Sequence, residues 1–146
     1  MNKPWLDSTS AAAEQAGHIF PSMAACEAAL ESGYGQSQLA RNANNLFGTK
    51  QHATPIYETL SLPTKEFING EWIQTTANWV KYPQLSDCFV DRMATLRRLA
   101  SSYPHYAAAL AATDAQTFVT EVSKTWSTDP SRASKVISIF NAYINQ

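Results

Sequence analysis

No stretch of this sequence approaches the roughly 20 consecutive apolar residues that a membrane-crossing helix requires, so bilayer insertion is not expected. The first ten residues, MNKPWLDSTS, hold one lysine and no apolar segment after it, so the chain as written is expected to be made in the cytoplasm without a secretory signal. Charge is scarce and balanced: 11 Lys and Arg face 12 Asp and Glu, for a net charge of −1. With no basic cluster, neither nucleic acid nor an anionic membrane is an expected partner. Cysteine is nearly absent. The spacing of Cys26 and Cys88 fits neither a zinc site nor a CxxC redox motif, and buried free thiols are the favoured reading. His18, His52 and His105 are too scattered for a metal motif, HExxH and GxSxG do not occur, and GYGQSQ lacks the spacing and lysine of a phosphate loop. No metal and no cofactor are expected.

What remains is a chain of 146 residues, 45% of them hydrophobic, that suits one domain over 1–146. A domain of this size buries about 68–70% of the surface its unfolded chain exposes, so it folds without staples. Apolar periodicity predicts a mostly helical chain. A first helix is expected after Asp7 or Ser8, running to Pro21, and a second from Ser22, a good N-cap type, with Met23, Cys26, Ala29 and Leu30 on one stripe, stopping at Gly33. Later helices are expected from Ser86 or Asp87, after Pro104, after a Thr113/Gln116 capping box, and from Asp129 as N-cap with Pro130 at the first position.

The interruption lies between Thr54 and Pro83. In TKEFINGEWIQTT, Asn69-Gly70 sits between two β-rich runs, and a two-residue turn there pairs Ile68 with Glu71, Phe67 with Trp72 and Glu66 with Ile73. Thr64, Glu66, Ile68, Glu71 and Ile73 then share one face. PIYETLSL is a candidate third strand. The expected fold class is α+β, mostly helical, with a helical lobe and a small β-hairpin lobe at about 54–83 flanking a cleft.

Glu31 ends an apolar helix just before Ser32-Gly33. The helix C-terminus carries roughly half a negative charge, which disfavours a second one and pushes a carboxyl towards its protonated form. A carboxylic acid that keeps its proton at neutral pH can donate to a glycosidic oxygen. The competing reading is a solvated residue at a frayed end. Glu27, one turn earlier on the same face, is read as a solvated neighbour in preference to a second acid.

The surrounding string, ALESGYGQSQLARNANNLFGTK, closely resembles the signature of glycoside hydrolase family 73, bacterial cell-wall β-N-acetylglucosaminidases of the flagellar-rod and autolysin type, which read A-L-E-S-G-W-G-x-S and then N-N-L-F-G-I-K. TKEFINGEW is similar to the family's T-x-E segment, WVKYP to F-R-x-Y, and WSTDPSRASKV to Y-A-T-D-P, in the expected order over about residues 18–146. The resemblance implies a lysozyme-like fold, Glu31 as general acid and Glu66 as a second carboxylate on the hairpin. It also implies a substrate-contacting set of Tyr34, Asn44, Asn45, Phe47 and Trp126, with a structural role for at least one Asn equally expected. Gly33, Gly35 and Gly48 are expected at tight turns. Two departures matter. Trp126 replaces the family's Tyr and cannot ionise as a phenol can, and Val80 replaces its Arg, so activity is expected to depend more heavily on Glu31.

The function so implied is hydrolysis of peptidoglycan glycan strands between N-acetylglucosamine and N-acetylmuramic acid by a monomer. A phage or prophage endolysin, acting at the wall after holin-type or secretion-system release, is the expected setting. A muramidase or lytic transglycosylase on the same fold, and a non-catalytic glycan-binding wall protein, are the alternatives. Glu66 can act as a nucleophile at ~5–5.5 Å from Glu31 or as a base at ~6.5–9.5 Å. It can also merely orient the substrate while the sugar's N-acetyl group attacks, the route ranked first. Glu58 and Glu71 are substitutes for Glu66, read as inert strand charges. Trp5, Trp72 and Trp79 are either sugar-stacking platforms or core anchors.

Overall fold

A computed structural model describes all of residues 1–146. Seven helices surround one hairpin: α1 Lys3–Gln15, α2 Pro21–Ser32, α3 Gln38–Ala43, β1 Glu58–Ile68, β2 Glu71–Lys81, α4 Leu85–Leu99, α5 Pro104–Leu110, α6 Ala115–Trp126 and α7 Arg132–Ile144. The mostly helical α+β expectation is met. No helix is long and apolar enough to cross a membrane.

Helix α2 is the hub. Met23 to Ala29 are all buried, so α2 carries no solvent stripe over two turns, the pattern of a helix enclosed on all sides. Met23, Ala25, Cys26 and Ala29 join Leu6, Met93, Leu96, Phe118, Val119, Val122 and Val136 in one apolar cluster. Ala24 and Ala28 join Ala13, Leu46, Phe47, Val80, Tyr82 and Phe89 in another. Alanines at these positions let neighbours approach closely on both sides of the helix. Cys26 and Cys88 are free and buried.

Several boundaries differ from expectation for local reasons. Helix α1 starts at Lys3, because the Asn2 side chain accepts a hydrogen bond from the Trp5 amide and Pro4 fits the first turn. It ends at Gln15, before a turn at Gly17 and buried His18. Helix α2 begins at Pro21, ahead of Ser22. The cap of α6 is Asp114, which accepts from the Thr117 amide at 2.7 Å, so Thr113 and Gln116 do not form the box. Helix α7 begins at Arg132, because the Asp129 carboxylate takes up the Ser131 amide and hydroxyl in a preceding turn. Helix α3 was not expected at all; six residues are too few for periodicity to reveal, although Ser37 caps it by accepting from the Ala40 amide.

The hairpin pairs in the expected register, Ile68 with Glu71, Phe67 with Trp72 and Glu66 with Ile73. Asn69 (φ 51°) and Gly70 (φ 81°) supply the two positive φ angles of its turn. PIYETLSL is not a third strand: its latter part is the start of β1, and the sheet has two strands. Pro63 is tolerated because both strands are edges. At the base, Leu60, Leu62 and Thr64 are half-buried on the face they share with Thr75, Ala77 and Trp79. Beyond them both faces are exposed, including Phe67 and Trp72 at 62% and 71%. The base is pinned to the helices twice. Asn45 ties Thr49 to Val80, and buried Asp91 of α4 accepts from Tyr82 Oη and pairs with His52 Nε2 at 2.8 Å.

Candidate active site

The site is built at the exit of α2. Gly33 closes the helix in the left-handed region (φ 59°), and Tyr34 (φ 56°) and Gly35 (φ 77°) continue in it. The turn is braced from within: Ser32 Oγ donates to the Ala28 carbonyl at 2.6 Å and accepts from the Gly35 amide at 2.9 Å. Trp5 covers it from outside, with its ring edge-on to Tyr34 and so near Gly35 that an added Cβ would lie 2.7 Å from the indole nitrogen. Trp5 is thus an anchor of this turn. Glu31, one residue before the helix ends, stands on a fixed support.

At Glu31 the backbone is open to solvent, but the side chain is only 19% exposed. Its Oε1 accepts both Nε (3.0 Å) and Nη2 (2.6 Å) of Arg132, at the start of α7. Its Oε2 bonds no protein group, which leaves that oxygen to carry a proton. Burial pushes the Glu31 carboxyl above its usual range, Arg132 pulls it back, Glu27 pushes it up again, and the net direction is upward.

With Glu27, Arg92 and Arg132, Glu31 forms a charged quartet that the sequence did not disclose. Glu27 is fully buried, which corrects the solvated-neighbour reading. Both its oxygens accept from Arg92 of α4, at 3.0 and 2.8 Å, and Oε2 also accepts from Arg132 Nη2 at 2.8 Å. Burial works against charge on Glu27, but the two guanidiniums outweigh it and hold its carboxyl down at about 2. Arg132 Nη1 donates to Ser123 Oγ of α6 at 2.8 Å. Arg92 in turn sits in a corner of two near-perpendicular aromatic rings, its guanidinium carbon 4.5 Å from the ring centres of both Phe47 and Trp126. Its Nε–H has no hydrogen-bond partner, and the ring faces offset part of that cost.

The other sequence-derived residues are spread over the loop after α3, the core and the hairpin. Asn44 and Asn45 brace the loop after α3. Asn44 takes a left-handed cap position (φ 52°) and donates to the Tyr82 carbonyl, while Asn45, 1% exposed, has both N–H groups on the Thr49 and Val80 carbonyls and its oxygen on the Thr49 amide. Phe47 is buried, and half-buried Trp126 packs on Phe47 and Tyr106 as well as on Arg92. Val80 is 2% exposed in the core, so the guanidinium beside Glu31 comes from α7 instead of β2. Glu66 is exposed near the hairpin tip and bonds none of the quartet. By register it lies on the face that Leu60, Leu62 and Thr64 present at the base.

No cavity is lined by both Glu31 and Glu66. The largest hollow, about 650 Å³, lies along the α6–α7 turn, where Thr120, Ser123, Thr125, Ser127 and Thr128 give it a hydroxyl-rich lining. Ser123 links that hollow to Glu31 through Arg132. Glu31 itself does not line the hollow and meets it only through that hydrogen-bonded link.

Comparison with known proteins gives a consistent answer. A family model described as mannosyl-glycoprotein endo-beta-N-acetylglucosaminidase matches residues 8–145. A probable N-acetylmuramidase of Lactococcus lactis subsp. cremoris is 29% identical over 149 residues, covering 97% of this chain and 34% of that protein. The peptidoglycan hydrolase FlgJ of Salmonella typhimurium is 34% identical over 133 residues, covering 88% and 40%. The chain thus spans about a third to two-fifths of the length of these relatives. Among solved structures, the catalytic domain of the Listeria monocytogenes autolysin Auto superposes with a TM-score of 0.82 at 28% identity, covering 97% of this chain and 83% of that one. A glycoside hydrolase domain of Salmonella typhimurium FlgJ gives 0.79 at 28% identity, covering 100% and 99%. The chain belongs to the endo-β-N-acetylglucosaminidase family of glycoside hydrolases and has the lysozyme-like fold of its catalytic domains.

Proposed function

We propose that this domain hydrolyses the glycan strand of peptidoglycan at the β-1,4 bond between N-acetylglucosamine and N-acetylmuramic acid, with Glu31 as general acid. The observation that carries this reading is the one-sided grip on Glu31: Arg132 holds Oε1 alone, on a carboxyl shifted upward by burial. Oε2 then bears the proton and gives it to the departing glycosidic oxygen. Arg132 steadies the carboxylate that results and favours its formation during bond cleavage.

Glu66 is proposed as the second carboxylate. Its support is the hairpin register, which puts it on the strand face shared with the half-buried base residues. Attack by the substrate's own N-acetyl group, with Glu66 orienting it, needs no second buried carboxylate and fits a side chain exposed as Glu66 is. Tyr34 is proposed as an aromatic wall, and Asn44, Asn45, Phe47 and Trp126 as groups that shape the site from behind.

A muramidase is the second reading, favoured by the probable N-acetylmuramidases of Lactococcus lactis among the relatives. Digestion of purified peptidoglycan, borohydride reduction and mass spectrometry separate the readings. Reduced glucosamine ends are the expected product. Reduced muramic ends would establish a muramidase, anhydro-muramyl ends a lytic transglycosylase, and tight binding without products a glycan-binding module.

A further inference from the structure

We propose that Arg92, seated in the corner formed by Phe47 and Trp126, is a positioning residue for the reaction at Glu31, acting through Glu27 to fix how Arg132 is divided between the two glutamates. The inference rests on Glu31 being the acid, and it assigns a role to Trp126.

The argument starts from Arg132, whose Nη2 is shared: 2.8 Å to Glu27 Oε2 and 2.6 Å to Glu31 Oε1. A buried carboxylate needs compensation. Glu27 is fully buried, and Arg92 supplies its only bidentate pair. With Arg92 in place, Glu27 needs one further bond from Arg132, and the Nε and Nη2 edge of that residue remains for Glu31. Without Arg92, Glu27 would draw Arg132 inward and away from Glu31. Arg92 cannot do this work as a mobile chain; the Phe47 and Trp126 rings, each centred 4.5 Å away and set at 81° to one another, make a corner that with Phe118 at 5.7 Å holds the guanidinium in one place. Trp126 is therefore tied to the reaction through a cation, and needs no hydroxyl of its own.

The remaining titratable groups around this cluster do not disturb it near neutral pH. His18, from the α1–α2 turn, is pushed down to about 3 by burial and then by Arg92. Cys88 on α4 is pushed up to about 12 by burial, and burial also raises Tyr106 of α5. Asp91, next to Arg92 in α4, is turned to His52 and Tyr82. Within the quartet Glu27 stays ionised near neutral pH, which leaves Glu31 to take up and release a proton in the presence of Arg92 and Arg132.

The test is the pH profile of kcat on purified peptidoglycan, with a carbon-13 titration of the glutamate carboxyls in the same variants. Arg92→Gln is expected to move the alkaline limb, and the Glu31 titration with it, upward by about one pH unit, because a cation leaves the cluster and Arg132 turns to Glu27. Loss of alignment lowers kcat on the order of 10–100-fold with little change in KM. Arg92→Lys, which returns the charge, brings the limb back towards its original position. Trp126→Leu moves it in the same direction as Arg92→Gln, by less. The double variant Glu27→Gln/Arg92→Gln removes both buried charges together, frees Arg132 for Glu31 and returns the limb to the wild-type position or below. If Arg92→Gln does not fold, Trp126→Leu decides: an upward move of the limb supports the inference and a limb left in place overturns it. A folded set in which the limb and the Glu31 titration stay at their wild-type values, or in which only KM changes, overturns the inference. A wild-type enzyme with no alkaline limb, or full turnover by Glu31→Gln, defeats the proposed function instead.

Discussion

Glu31 meets Arg132 through one oxygen, and that asymmetry governs its chemistry. A bidentate pair would hold the carboxyl ionised on both sides; here Oε1 takes both N–H groups and Oε2 keeps room for a proton. Burial raises the Glu31 carboxyl above its ordinary value near 4.5, and the acid role proposed for it requires the protonated form, so turnover is expected below the shifted value and is expected to be lost as pH rises through it. The expected alkaline limb of kcat/KM therefore lies above 4.5, and Arg132→Gln moves it further up by removing the cation. A limb at or below 4.5 in the unmodified protein would contradict this. Glu31 was legible from its place at the end of an apolar helix and from the string around it. Arg92 and Arg132 were not, because they reach the glutamates across 65 and 101 residues of sequence, a distance no local pattern spans.

Among the elements, the hairpin was the most legible, since alternation and an Asn-Gly turn fix both register and facing. Helix ends were less so, because Asn2, Asp114 and Asp129 each compete with neighbours for backbone amides, and the winner depends on the surrounding turn. The loop between α3 and β1 owes its shape to Asn45, whose side chain satisfies three backbone groups at once. Replacing it with Ala strands those groups in a buried place, and the expected loss is about 2–3 kcal/mol in denaturant unfolding. Hydrogen exchange should quicken at the amides of Thr49 and Val80, which form the hairpin base. Unchanged protection there would show that the loop is held by its other contacts.

For the whole molecule, buried charge sets the acid limit of stability. His18 is 4% exposed and held down to about 3, whereas an unfolded His protonates near 6.5; its contribution is full above 6.5 and lost as pH falls towards 3. Glu27, held down to about 2 by its two guanidiniums against an ordinary 4.5, contributes fully above 4.5 and is lost as pH falls towards 2. Thermal stability followed across pH should thus start to fall at about 6.5 and fall more steeply below 4.5, and His18→Gln should abolish the fall between 6.5 and 4.5 and make the lower one shallower. A single stage confined below 4.5 in the unmodified protein would contradict the assignment to His18. A buried ion quartet is a poor way to stabilise a core, since desolvation offsets much of the attraction. That it contains Glu31 fits the role proposed for it in the reaction.

The most direct measurement is turnover of purified peptidoglycan by Glu31→Gln, with folding checked by circular dichroism. The account predicts a native spectrum and a loss of about 10²–10⁴-fold, the usual contribution of a general acid. Release of new reducing ends at the unmodified rate by a folded Glu31→Gln protein would contradict it.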